Sequence, residues 1–417
     1  MKKNLAVIIL AAGKGVRMKS DLPKVLHPVC GRPMLGYVLD LAKSLKPKAT
    51  VVVLGHKHAE VKKFLPAGVK SVVQKKLIGT ADAMKTALTA LKGFSGTVLV
   101  LYGDIPLLKK STLDKLLNFH FRNNPGATIL FAQLEKPQGY GRILRDKLSS
   151  IRGIIEEKDA DEFQKDIKEI NTGIICFNKE KLSAYLKEVK ANNRKKEYYL
   201  TDLIGIFYKN GLLVEGIKID DINEAMGINS RMDLAKASLI MRSRVNEKLM
   251  QEGVTIVSPD TAVIDYGAKV GRDSVIYPFT AIESDVKIGK RCQVGPFVHL
   301  RPGTDIADDT VIGNFIEVVR TKIGSKTFVK HFTYLGDARV GKLANIGAGT
   351  VTANFDGKKK NLTAIGDGAF IGSDTVIVAP AKIGKNAKTG AGSIVLKNIP
   401  DGATAVGVPA KIIKNKG

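Results

Sequence analysis

The sequence predicts two domains of different class: an α/β domain with a mostly parallel sheet over residues 1–229, and a solenoid of stacked six-residue units over residues 253–417, with one long helix over 230–252 between them. Three observations carry this. Short apolar runs alternate with helical spacing through the first half, a basic glycine-rich loop follows the first run, and aliphatic residues recur at every sixth position in the second half.

The first element is the apolar run Leu5 to Leu10, which reads as a buried parallel strand. It passes into L-A-A-G-K-G-V-R-M-K-S-D-L-P-K, Leu10 to Lys24. Backbone N–H groups beside Gly13 and Gly15 can approach an anion closely, and Lys14, Arg17 and Lys24 can neutralise phosphates. A dinucleotide fingerprint would place glycine or alanine at Met18, and a P-loop would set four residues between its glycines with Lys-Ser or Lys-Thr after them. On glycine spacing alone, an ordinary basic turn fits as well. The whole string resembles the signature of sugar-nucleotide pyrophosphorylases, which join a nucleotide to a sugar 1-phosphate. Its extension D-L-P-K-V-L-H is most similar to the bifunctional N-acetylglucosamine-1-phosphate uridyltransferase and glucosamine-1-phosphate N-acetyltransferase family, although Val16 stands where that family usually has threonine.

Beyond the loop, Thr50–Leu54 and Gly96–Tyr102 read as strands, and Leu35–Leu45 and Ala81–Leu91 as helices. That alternation predicts a Rossmann-like sheet with helices on both faces, whose ligands bind beyond the carboxyl ends of its strands. L-Y-G-D-I-P, Leu101–Pro106, ends one strand there, and a carboxylate beside a glycine can hold Mg²⁺ against phosphate oxygens. A turn-forming aspartate is the plainer reading of Asp104. The His56 and His58 pair supplies too few ligands for a metal site and is read as structural.

The resemblance implies an α/β nucleotidyltransferase domain whose site residues can be carried across one by one. Asp104 and Asn229, the latter in G-I-N-S-R, match the metal ligands. Leu10, Ala11, Ala12 and Gly13 form the nucleotide loop. Gln74, Gly79 and Thr80 match positions that read uracil, and Tyr102 and Gly103 precede the metal carboxylate. Gly141, Glu156 and Asn171 match positions at the N-acetyl sugar. The implied reaction is attack by N-acetylglucosamine 1-phosphate on the α-phosphorus of UTP. Positioning and charge neutralisation suffice for it, with Arg17 and Lys24 on the phosphates and Mg²⁺ held by Asp104 and Asn229.

Ser230 with Asp233 resembles a capping box, and Gly253 supplies a stop, so a helix is expected between them. The repeat then begins. Ile264, Val270, Ile276, Ile282, Ile288, Val294, Leu300, Ile306, Ile312 and Val318 stand in unbroken register. If aliphatics fill about a quarter of positions, such a run arises by chance about once in a million starts. Six residues cannot bury their own apolar face, so the units must stack. The pattern resembles the left-handed parallel β-helix of hexapeptide repeats, three units to a triangular coil. Its register slips near Ile323, shifts again at Val340, and breaks between Thr352 and Leu362, where a projecting loop is expected.

Periodicity leaves open whether this solenoid is a purely structural spindle or carries a site. K-H-F-T-Y-L-G-D brings a histidine, which titrates near neutrality and can accept a proton from an amine. By the resemblance, His331 is the proton acceptor. Arg301, Tyr334, Asn345 and Lys360 match contacts to glucosamine 1-phosphate, and Ala348, Asn354, Phe355, Ser373 and Ala391 match contacts to the co-substrate acetyl-CoA. The sequence departs from the family in places: Val319 replaces a sugar-phosphate lysine with Arg320 beside it, Phe355 replaces a tyrosine, A-V-G-V-P lacks a coenzyme A arginine, and the solenoid before Arg301 is shorter by about two coils. Three readings follow: a bifunctional enzyme making UDP-N-acetylglucosamine, a single-function nucleotidyltransferase whose β-helix only oligomerises, or a non-enzymatic sugar-nucleotide-binding subunit.

Composition narrows the partners. The formal charge of +26 is spread along the whole chain, aromatic content is 6%, and no nucleic-acid motif appears, so phosphate-bearing small substrates are expected and dedicated nucleic-acid binding is not. With 44% hydrophobic residues and no apolar run of spanning length, membrane insertion is not expected. Three scattered cysteines without metal-type spacing, and no cleavable leader, fit a reducing cytoplasm. A homotrimer is expected from the resemblance, because the triangular β-helix has three faces and the family's sites lie between subunits.

Overall fold

A computed structural model describes residues 4–413. The chain divides into two compact units, one ending at Ala237 and the other beginning at Ser238, so the boundary falls inside the helix Arg231–Gln251. Asp233 accepts hydrogen bonds from the backbone N–H groups of Ser230 and Asn229, and its own N–H donates to the Ser230 hydroxyl, which caps that helix.

In the first unit, a sheet runs in the order Val214–Lys218, Ala127–Gln133, Glu169–Asn178, Thr97–Tyr102, Leu5–Ala11, Ala49–Leu54, Lys70–Val73. Every neighbouring pair is parallel except those made by Glu169–Asn178, which is antiparallel to both its neighbours. All seven residues of Leu5–Ala11 are buried, because its two faces pack into different cores. Ala6, Ile8 and Leu10 face one, Leu5, Val7 and Ile9 the other. That two-sided burial is why the strand reads as a continuous apolar run. The helix Thr80–Leu88 covers the first face, and Met34–Ser44 and Lys110–Asn123 cover the second.

The second unit is a triangular prism of three sheets, parallel except for the last pair, Thr404–Val406 with Lys411–Ile413, the left-handed β-helix of the hexapeptide repeats. One coil takes eighteen residues where it is regular, as in Val263↔Ala281. The sixth-position aliphatics from Ile264 to Val318 are buried and form a single core. A second inward column stands two residues before each aliphatic and often holds small side chains, among them Ser274, Thr304, Thr310 and Thr327. Their hydroxyls donate to backbone carbonyls of adjoining coils, as Thr327 does to Gly341 at 2.8 Å, so these polar groups are buried without loss. Leu249 and Val254 join the core at its first coil.

The register slips have a local cause. Between Val319 and Thr321, and again between Gly336 and Ala338, the corner from the second sheet to the third is a single residue in the left-handed region, Arg320 or Asp337. Dropping one residue advances the period by one and brings these side chains into a column, where the Arg320 guanidinium holds Asp337 through both oxygens at 2.6 and 2.7 Å. The expected break is present as an irregular stretch after Val351–Ala353, carrying an isolated bridge between Phe355 and Lys360. Cys30, Cys176 and Cys292 are all buried.

Candidate functional site

The carboxyl ends of Leu5–Ala11, Lys70–Val73 and Thr97–Tyr102 open on one cavity of about 480 Å³. Of the residues expected to bind the nucleotide-sugar, Leu10, Ala11, Ala12, Gly13, Lys24, Gln74, Gly79, Thr80, Tyr102, Asp104, Gly141, Glu156 and Asn171 all line it. Gly103 and Asn229 lie just behind that lining: the Gly103 N–H donates to Leu10, and Asn229 follows Ile228, whose N–H donates to the Asp104 carbonyl. Arg17 is not in the lining. It belongs to the short 3-10 turn Val16–Met18 beyond the strand end, with its side chain exposed.

Lys24 occupies the centre of the charge arrangement. Its ammonium contacts the Asp104 carboxylate and lies 3.0 Å from the Asn229 side-chain oxygen, with Lys24 and Asp104 only 12% and 17% exposed. Gly15 permits this approach: its φ is +64°, and a Cβ there would meet Lys24 at 2.6 Å. Two hard oxygen donors thus converge on one cationic point, a donor set that fits Mg²⁺, which takes one or two protein oxygens and completes its shell with water and phosphate. Among the described residues, no cluster of three or more His, Cys, Asp or Glu could cage a metal by itself.

At one end of the cavity, the Gln74 amide donates to the Gly79 carbonyl at 3.0 Å and to Asp82 at 2.9 Å, leaving its carbonyl oxygen for a ligand N–H. Gly79 begins the helix Thr80–Leu88 with φ +129°, and an added Cβ would sit 2.3 Å from the Tyr198 carbonyl. That close passage, with Ala81 donating to Tyr198 and Leu200 to the Thr80 hydroxyl, holds a distant segment against the pocket. It delivers Lys195, Glu197, Tyr199 and Thr201 to the lining. Sequence reasoning missed these four; the charged and aromatic run K-K-E-Y-Y-L-T-D was the available signal.

Acidic residues gather beside Thr201. Glu156 accepts from the Thr201 hydroxyl at 2.9 Å, and burial raises its carboxyl above the ordinary range against that hydrogen bond. Burial first, then the charges of Glu156 and Asp159, push Asp202 up to about 6. Tyr102 is raised by burial and, less, by the charges of Glu156 and Asp104. The Asn171 N–H donates to Gly141 at 2.8 Å, and its side-chain oxygen accepts from Gly173 at 3.0 Å, which orients its amide group.

In the second unit, His331, Ala348, Ser373 and Ala391 occupy equivalent places on one corner of the prism in four successive coils, as the registers Phe328↔Asn345↔Phe370↔Lys388 require. Asn345 itself lies on the first face. Tyr334 lies in register with Glu317 on the second face, and Glu317 accepts from Arg301 at 2.8 Å. Asn354 is buried and donates to Asp337, extending the Arg320 column into the loop that carries Phe355 and Lys360. His331 is exposed, and its ring makes no hydrogen bond among the described residues. Val319 is buried at 2% exposure, while Arg320 is engaged by Asp337. The expected residues thus fall on two neighbouring faces, the corner between them, and the loop at the next corner that carries Asn354, Phe355 and Lys360, rather than around one point.

Comparison with known proteins gives this geometry its setting. A MobA-like NTP transferase domain matches residues 7–167, and the bacterial transferase hexapeptide family (six repeats) matches residues 267–301, 285–315 and 363–397. The chain is 43% identical to the Bifunctional protein GlmU of Thermosipho africanus, over 98% of this chain and 96% of that protein. Proteins of the same name from Carboxydothermus hydrogenoformans and Shouchella clausii are 44% and 40% identical, each over at least 96% of both chains. A solved structure of UDP-glucose pyrophosphorylase complexed with UDP-glucose is 17% identical with a TM-score of 0.48 over 58% of this chain and 99% of that one, a likeness too slight to bear on function. On the strength of identity across nearly its whole length, this chain belongs to the bifunctional GlmU family of enzymes, a nucleotidyltransferase followed by a hexapeptide-repeat acyltransferase in one polypeptide.

Proposed function

We propose that the chain makes UDP-N-acetylglucosamine in two steps. Residues 253–417 transfer the acetyl group of acetyl-CoA to the amine of glucosamine 1-phosphate. Residues 1–229 then join the product to UTP and release pyrophosphate, with the helix over 230–252 linking the two activities. The reading places the enzyme in the cytoplasm; among the described residues no helix is long and apolar enough to cross a membrane.

The observation that carries the first activity is the single cavity in which the glycine loop, Lys24, Asp104, Gln74, Glu156 and Asn171 meet. Gln74 offers its carbonyl oxygen to the uracil N–H, and Glu156 and Asn171 hold the N-acetyl sugar. A phosphate oxygen of the sugar phosphate forms a bond to the α-phosphorus of UTP as the bond to pyrophosphate breaks. Lys24, with Arg17 drawn in from its exposed turn, neutralises the charge that builds on the phosphates. Mg²⁺ held by Asp104 and Asn229 supplies further neutralisation when bound. In the second unit, His331 accepts the proton of the attacking amine while Arg301 and Lys360 hold the sugar phosphate; Tyr334 and Asn345 orient the sugar, and Ala348, Asn354, Phe355, Ser373 and Ala391 bed acetyl-CoA.

The test measures both half-reactions on one preparation: thiol release from acetyl-CoA with glucosamine 1-phosphate, and pyrophosphate release from UTP with N-acetylglucosamine 1-phosphate. Asp104→Ala is expected to abolish pyrophosphate release and leave thiol release intact. Absence of thiol release from the unaltered chain would reduce the reading to a single-function nucleotidyltransferase with an oligomerising solenoid.

A further inference from the structure

The faces of the prism differ in charge. Outward positions on successive strands of the third face are Lys269, Lys287, Asp305, Lys322, Arg339, Ala364 and Lys382, in direct register. The matching positions of the second face, Ala281, His299, Glu317, Tyr334 and Val351, hold no lysine or arginine. Like charges on neighbouring strands repel at a spacing of about 4.8 Å, so this row does not serve the stability of the solenoid.

One place along the row is hollow. Ala364 stands between Arg339 and Lys382, and its short side chain leaves a cavity of about 310 Å³, floored by Gly341, Gly366 and Gly384 and rimmed by Lys385 and Asp401. The floor must be glycine, since an added Cβ at any of the three would come within 2.6 Å of backbone in the next coil. The floor N–H groups are already donated to Ile365, Ile383 and Ile399, so an anion there would be held by side chains. Asp401 accepts the Lys385 backbone N–H at 2.9 Å, and nearby Asp367 accepts that of Lys342 at 3.0 Å, so each acid already caps a turn. Arg339, Lys382 and Lys385 are exposed and have no ion-pair partner among the described residues.

We propose that this hollow binds an oligophosphate, an anion of two or three linked phosphoryl groups spanning Arg339 and Lys382 with Lys385 at its rim. The two outer cations lie two coils apart, roughly 10 Å at the spacing of paired strands, more than one phosphate covers and close to the length of a short phosphate chain with its charge-assisted hydrogen bonds. The shared chemistry admits two sources, a free inorganic oligophosphate or the phosphate tail of a nucleotide.

Titration calorimetry of the full chain with inorganic tripolyphosphate tests this, with uridyl transfer of each variant measured alongside to show that the first unit is unaltered. Arg339→Gln with Lys382→Gln should weaken a tripolyphosphate-binding event at least about tenfold, and orthophosphate should bind the unaltered chain at least about tenfold more weakly than tripolyphosphate. Lys269→Gln with Lys287→Gln, on the same face outside the hollow, should change affinity less than about twofold. Adenosine triphosphate binding more tightly than tripolyphosphate assigns the nucleotide source, and weaker binding assigns the inorganic one. Unchanged affinity in the Arg339 and Lys382 variant, equal binding of orthophosphate, or an equal loss in the Lys269 and Lys287 variant would overturn the proposal, the last by revealing diffuse attraction to a basic face.

Discussion

At the scale of single residues, the two units use ionisable groups differently. The first holds Glu156 in the lining of its cavity and Asp202 next to the lining residue Thr201, and burial rather than pairing dominates the environment of both carboxyls. Because the Asp202 carboxyl is pushed up to about 6, the native protein keeps a proton between about pH 4 and pH 6 that the unfolded chain gives up, and stability contributed by this residue falls as pH rises through that window. Asp202→Asn should therefore melt at a higher temperature than the unaltered chain at pH 7, with the difference shrinking toward pH 4.5; a difference independent of pH would remove Asp202 from the account. In the second unit, His331 is exposed on a corner of the prism. His331→Ala should lower thiol release by about 10²- to 10⁴-fold, the usual worth of a general base, with pyrophosphate release unchanged. Lys24, Asp104 and the glycine loop were legible because their spacing is local. Lys195, Tyr199 and Thr201 were not, because only the passage of Tyr198 over Gly79 brings them in.

At the scale of elements, the sixth-position aliphatics do in the solenoid what Leu5–Ala11 does in the sheet: they fill a core from which no neighbour can retreat. Ile312 has no exposed surface, with coils above and below it. Ile312→Ala should cost about 2–5 kcal/mol in denaturant unfolding, since stacked coils leave little freedom to collapse around the void. A loss under about 1 kcal/mol would mean that the coils adjust. The slip after Val318 was visible as a break in period, but its consequence was not. Shortening two corners by one residue each aligns Arg320, Asp337 and Asn354 into a hydrogen-bonded column. Arg320 is thereby committed to Asp337, whose carboxyl is held below the ordinary range chiefly by that hydrogen bond.

At the scale of the molecule, one feature of the prism fits the homotrimer expected from the sequence resemblance. Phe279, Phe297 and Phe315 stack at 5.1 and 5.2 Å along one corner while remaining 56%, 47% and 60% exposed, an apolar ridge of the kind that a partner surface covers. Sedimentation should give a mass of three chains, and a monomer at micromolar concentration would contradict this assembly. The two-domain plan, the glycine loop and the hexapeptide register are written in the sequence because each follows from a local period: two along a strand, 3.6 around a helix, six along a prism edge. Tertiary structure alone decides the placing of Lys24 between Asp104 and Asn229, the delivery of Lys195, Glu197, Tyr199 and Thr201 to the cavity, and the hollow at Ala364 between two cations. Those meetings join residues tens to hundreds of positions apart. Chain closure on that scale depends on how whole elements pack, and no short-range period records it.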